Sequence, residues 1–166
     1  GWAHELETTG TRHLLLAAGR AKVRAIVMRS TTLVYGARPT HPALIPESAP
    51  LDGHAAGSYL RDKVEAEGQL SRFATNHPEC AVTVLRFAPL LGPGSDTIAT
   101  AFLAQPVCPV LLGYDPVSQF IHVDDAVEAM RVATHAALPG AVNVGAPGVV
   151  ALSEAVRLVG SRRLPL

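Results

Sequence analysis

Ser58–Phe87, SYLRDKVEAEGQLSRFATNHPECAVTVLRF, reads as an amphipathic helix followed by a buried strand. Tyr59, Lys63, Ala66, Leu70 and Phe73 recur at three- and four-residue intervals and share one helical face from about Ser58 to Thr75, while Arg61, Asp62, Glu65 and Arg72 take the others. Ala81–Phe87 is an almost continuous apolar run, the pattern of a strand covered on both faces. Upstream, a helix over Thr11–Ala21 with Leu14, Leu15 and Ala18 on one face precedes a strand over Val23–Met28. Downstream come a helical stretch Ser95–Gln105 and short strands Val110–Leu112 and Phe120–His122. A helix then starts near Asp124 or Asp125, with Val123, Val127, Met130 and Thr134 facing inward. A strand Ala141–Val144 and a closing helix Leu152–Val159 complete the chain. This alternation is the signature of a parallel α/β architecture.

Composition excludes several classes. With 48% hydrophobic residues, 17% charged ones, and 14 basic residues balanced by 14 acidic ones, neither a disordered chain nor a nucleic-acid-binding surface is expected. No apolar run approaches the roughly 20 residues of a membrane-spanning helix, so no membrane partner is expected. Cys80 and Cys108 form neither a disulfide framework nor a metal-type spacing, which fits a reducing cytoplasm. The opening Gly1-Trp2-Ala3-His4-Glu5 has no signal-peptide pattern and no initiator Met, which suggests a start inside a longer protein.

Chemistry concentrates at Tyr59-Leu60-Arg61-Asp62-Lys63. The i, i+4 spacing stacks a phenol and an ammonium on one helical face, and an ammonium beside a phenol favours the phenolate, the form that acts as a base. An ordinary surface pair, with the lysine stem lying along the ring, has the same spacing. Arg38–Gly57 holds Pro39, Pro42, Pro46, Pro50, Gly53 and Gly57 and reads as a long irregular loop, a length usually reserved for function. His122, between Ile121 and Val123, suits a structural histidine. Asp124 and Asp125 suit helix caps, and no companion cluster makes them metal ligands, so no metal is expected.

A second stretch, Arg29-Ser30-Thr31-Thr32-Leu33-Val34-Tyr35-Gly36, makes a resemblance specific. The chain resembles the extended short-chain dehydrogenase/reductase family, in its nucleotide-sugar epimerase and dehydratase branch. The features in order are Thr31, Val34-Tyr35-Gly36, Pro46-Glu47-Ser48-Ala49-Pro50, Tyr59 with Lys63, Leu85-Arg86, Gly92-Pro93-Gly94 and Phe120–Asp125. The resemblance implies a partial Rossmann-type doubly wound parallel sheet with parts of a small C-terminal substrate-binding lobe. It divides the chain into 1–94, the rear of the NAD(P)-binding domain; 95–118, a lobe segment; 119–146, a return to that domain; and 147–166, a second lobe segment.

The resemblance further implies an NAD(P)-dependent epimerase or reductase, with NAD favoured over NADP, acting on a small sugar-like molecule. Thr31 would orient the reacting hydroxyl, with Ser30 and Thr32 as neighbouring alternatives because strand ends slip by one residue. Tyr59 would be the general acid or base, and Lys63 would hold the nicotinamide ribose. Ala88 would lie where the chain lines the nicotinamide. A homodimer is compatible with this reading.

Several departures qualify the resemblance. The chain carries no Gly-x-x-Gly-x-x-Gly turn for the pyrophosphate, so the first four strands of the cofactor domain are expected to be missing, leaving Val23–Met28 as an unpaired edge. The family often has Asn where Glu7 and Pro89 stand and Arg-Asp where Ser118-Gln119 stand, which argues against a UDP-sugar. Thr31 is followed by Thr32-Leu33 rather than by Asp-Glu, which disfavours dehydration. A non-catalytic fragment and a dinucleotide-sensing protein derived from the same family are the competing readings.

Overall fold

The computed structural model of the chain describes residues 1–38, 40–52 and 57–166. The chain opens with α1 (Trp2–His4), a π-helical turn (Glu5–Gly10) and α2 (Thr11–Ala21), then β1 (Ala25–Thr31) and a 3₁₀ turn (Thr32–Tyr35). It continues with α3 (Ser58–Asn76), β2 (Ala81–Phe87), β3 (Leu90–Leu91), α4 (Ile98–Leu103), β4 (Val107–Val110), β5 (Val117–Ser118) and β6 (Ile121–His122). It closes with α5 (Val123–Ala136), β7 (Gly140–Val144), β8 (Val150–Ala151), α6 (Leu152–Leu158) and β9 (Arg162–Pro165). Two compact units form, one from Gly1–Phe87 with Glu128–Asn143 and one from Ala88–Val127 with Val144–Leu166.

The first unit is built on a sheet of order β1-β2-β7. β1 and β2 run parallel, in register from Ala25 opposite Ala81 to Thr31 opposite Phe87. Leu15 and Ala18 of α2, Leu70 and Phe73 of α3, and Val82 and Val84 of β2 form its buried core, with Ile26 and Met28 of β1 packed against it. Each large apolar side chain so buried contributes about 1.5–3 kcal/mol. α2 stops where Lys22 enters the left-handed region at φ 53° and its amide reaches back to the Ala18 and Gly19 carbonyls. Two expected faces need correction. Leu14 is exposed, because the buried stripe of α2 runs through Leu15 and Ala18. On α3, Asp62 is buried, held by a contact with His4 described below, while Tyr59 is half exposed.

Within the described residues β1 lies at the sheet edge, with a row of backbone groups that β2 does not pair. β1 begins two residues later than the sequence pattern suggests and extends to Thr31. The 166-residue chain is expected to self-associate through this strand. Sizing at increasing concentration tests this, and a monomer at every concentration excludes it.

The segment after the 3₁₀ turn is irregular, as its prolines require, although Pro39 and Gly53 of the expected loop lie outside the described residues. Gly36 takes φ 72° at the turn exit, where an added Cβ would sit 2.5 Å from the Asp52 carboxylate, so only glycine fits without strain. Further along, the Glu47 carboxylate accepts the Asn143 amide at 3.0 Å. That bond holds the Glu47 carboxyl below the usual carboxylate range. A depressed carboxyl stabilises the fold above its unfolded-chain value and loses that contribution as pH falls through the depressed value. Acidification below the usual carboxylate range is therefore expected to speed hydrogen exchange at the Asn143 amide. Glu47→Gln should flatten that pH dependence, and an unchanged profile in the variant would disprove the tether.

The second unit is made of small ladders. β3 pairs with β6 and β4 with β9, both parallel, whereas β5 pairs with β8 antiparallel. Leu103, Cys108, Ala155 and Val156 form its core, with Phe102, Phe120 and Leu152 against them. α4 starts in a capping box, the Thr97 hydroxyl accepting the Thr100 amide while the Thr100 hydroxyl accepts the Thr97 amide. α5 buries Ala126 and Ala133; of the expected stripe Val123 and Met130 are half-buried, whereas Val127 and Thr134 are exposed. Its apolar residues lie on more than one side, so their spacing alone does not select a face.

Candidate active site

Lys63 and Tyr59 meet on the first turns of α3. The Lys63 ammonium lies 5.7 Å from the centre of the Tyr59 ring. The lysine side chain is only 9% exposed, whereas Tyr59 keeps about half its surface in solvent. A buried cation needs a counter-charge, and the Lys63 Nζ donates to Glu7 Oε1 at 2.6 Å. Glu7 sits in the π-helical turn, a geometry that widens the helix locally and often marks functional positions. One residue along α3, Asp62 Oδ1 lies 2.7 Å from His4 Nδ1. The Gln69 amide donates to the Thr8 carbonyl at 3.2 Å. Three separate contacts thus dock the first ten residues on α3.

Thr31 ends β1, where its hydroxyl accepts the Leu33 amide at 3.3 Å and caps the 3₁₀ turn. Accepting leaves the hydroxyl hydrogen to donate elsewhere. The Ser30 hydroxyl is buried and donates to Glu67 Oε1. Thr31, Tyr59 and Lys63 all belong to the first unit, and of these the structure brings Tyr59 and Lys63 into direct contact. Ala88 opens the second unit, buried, its amide donating to the Val144 carbonyl at 2.8 Å.

A buried polar network lies behind β1 and β2. Arg86 Nη2 and Nε donate to Glu67 Oε2 at 2.7 and 3.0 Å, while Nη1 donates to the Tyr35 hydroxyl at 2.8 Å and the Glu47 carbonyl at 3.0 Å. Tyr35 in turn donates to Asn143 Oδ1 at 2.7 Å. Burial alone would push the Arg86 guanidinium down, but the hydrogen bonds and charges of Glu67 and Tyr35 outweigh it and hold it above its ordinary value. The network ties the Val34-Tyr35-Gly36 stretch, the Pro46–Pro50 loop and the strand bearing Arg86 into one rigid wall.

Sequence reasoning noted Glu7 only as a departure from the family's Asn, without its pairing to Lys63, and missed Glu67. Glu7 lies 56 positions from Lys63, and nothing local marks the two as partners. Glu67 carried a signal: it continues the i, i+4 spacing of Tyr59 and Lys63, and Arg86 is the one charged residue in the apolar run Ala81–Phe87. A cation in a buried strand demands a carboxylate.

The Lys63 ammonium has three donors and Glu7 takes one, so two remain for another acceptor. Among the described residues no three His, Cys, Asp or Glu side chains gather as a metal site, and no helix is long and apolar enough to cross a membrane.

Residues 3–145 match the profile of the NAD dependent epimerase/dehydratase family. An uncharacterized protein of Mycobacterium tuberculosis is 34% identical over 163 residues, covering 98% of this chain and 43% of its own length. A 3-diazoavenalumate denitrifying reductase of a Streptomyces species is 33% identical over 171 residues, with coverages of 96% and 55%. Among solved structures, the UDP-glucose 4-epimerase of Thermus thermophilus, crystallised with NAD, superimposes with a TM-score of 0.76 at 25% identity, over 97% of this chain and 58% of that one. The chain spans about half the length of these relatives.

Proposed function

Because the chain belongs to the NAD dependent epimerase/dehydratase family, we propose that it carries the acid/base side of an NAD-dependent epimerase or reductase acting on a sugar-like secondary alcohol. The observation that carries this reading is the Tyr59–Lys63 contact, with the ammonium buried against the ring. Tyr59 takes the proton of the substrate hydroxyl, and Thr31 donates a hydrogen bond that holds the same oxygen in line. Lys63 binds the nicotinamide ribose and sets its charge beside the Tyr59 ring. NAD, when bound, would supply the acceptor for the hydride of the carbinol carbon, while Tyr59 takes the hydroxyl proton. Cys80 and Cys108, both buried free thiols, suit a reducing cytoplasm.

Reduction without epimerisation has its own support in the 33% identity to the denitrifying reductase. The missing Asn and Arg donors argue in the same direction, away from a nucleotide diphosphate. Calorimetric titration of the chain with NAD and NADP, joined to a nicotinamide absorbance assay of a protein that includes it, tests the proposal. Saturable binding of either dinucleotide with hydride transfer to or from a secondary alcohol or its ketone is the expected result. Binding without any turnover would favour a dinucleotide sensor, and neither binding nor turnover a non-catalytic fragment.

A further inference from the structure

We propose that Glu7 is the positioning residue for Lys63, fixing the direction in which its ammonium presents the remaining N–H donors to a ribose diol. The proposal rests on the reading of Tyr59 and Lys63 given above. A lysine side chain has four rotatable bonds and much rotamer freedom to lose, so a free ammonium would sample many directions. Here the ammonium is buried and bound at 2.6 Å by one carboxylate oxygen. The charged groups facing it from the elements packed there are few. Asp62, its neighbour on α3, lies against His4, which leaves Glu7 as the carboxylate bonded to Lys63.

Glu7 is itself immobilised. Its π-helical turn is docked on α3 by His4 with Asp62 before it and by the Thr8 carbonyl with Gln69 after it. A carboxylate on a loose surface segment would follow the lysine; one clamped on both sides dictates where the lysine points. The Tyr59 ring, 5.7 Å from the same ammonium, then has its cation in a single place.

The chain has two lysines, which makes the pairing measurable without cofactor or turnover. Lys22, exposed at the end of α2, is an internal reference for trace labelling by an amine-reactive acylating agent. Glu7→Gln is expected to raise the labelling of Lys63 relative to Lys22 by about tenfold, and Glu7→Asp to bring it most of the way back. In a nicotinamide-linked assay of a protein that includes this chain, Glu7→Gln should raise the KM for cofactor about tenfold with a smaller loss in kcat, again partly reversed by Asp. A labelling ratio unchanged by Glu7→Gln would overturn the proposal, as would equal gains at both lysines, the mark of general loosening. A fall in kcat at constant KM would overturn it too. Should the wild-type protein neither bind nor use a dinucleotide, the functional reading fails, while the labelling ratio still decides whether Glu7 governs Lys63.

Discussion

Tyr59→Phe is expected to lower nicotinamide-linked turnover by about 10³-fold, while the cofactor binds within about twofold of its wild-type affinity. The substitution removes one oxygen and leaves the ring against which the Lys63 ammonium lies. Tyr59 is half exposed, so the change costs little packing, and the melting temperature should stay nearly constant. A loss of rate at constant stability and constant cofactor affinity isolates the proton transfer. Turnover unchanged by the substitution would remove Tyr59 from the mechanism.

The largest expected effect on stability comes from Glu67→Ala, which should cost about 3–5 kcal/mol. Both partners of the Arg86–Glu67 pair are under 9% exposed, so deleting the carboxylate strands a guanidinium inside the sheet wall. It also deprives the buried Ser30 hydroxyl of its acceptor. Replacing both partners together, Glu67→Leu with Arg86→Met, should cost less than the single change, because no buried charge is left unpaired. Urea unfolding of the wild-type protein and the two variants decides this. A double variant less stable than Glu67→Ala would mean that the pair contributes more than the absence of an orphaned charge.

Long periodic elements were legible in the sequence. α2 occupies Thr11–Ala21 and β2 Ala81–Phe87 as their patterns require, and α3 runs one residue past the expected Thr75. Apolar spacing is a local property, and these segments are long enough to express it. The short ladders of the second unit were not legible. β4 lies at Val107–Val110 rather than Val110–Leu112 because its partner, β9, sets the register from more than fifty residues away. β9 itself, Arg162–Pro165, is exposed and carries two arginines, with nothing in its composition to mark a strand. The candidate site divides in the same way. Tyr59 and Lys63 share one turn of helix and were visible as a pair, whereas Glu7 joins them only through the tertiary fold.

One consequence of the sheet concerns the order of events as the chain folds. Every rung between β1 and β2 joins residues 56 positions apart, and so does the bond between Lys63 and Glu7. Closing a loop of that size costs entropy before any contact is gained, so both form late relative to the helices, which need only near neighbours. α3 is the bridge between the two strands, and its docking brings the lysine to its carboxylate as β2 reaches β1. The ion pair is thus expected to form together with the β1–β2 ladder and to report on its closure.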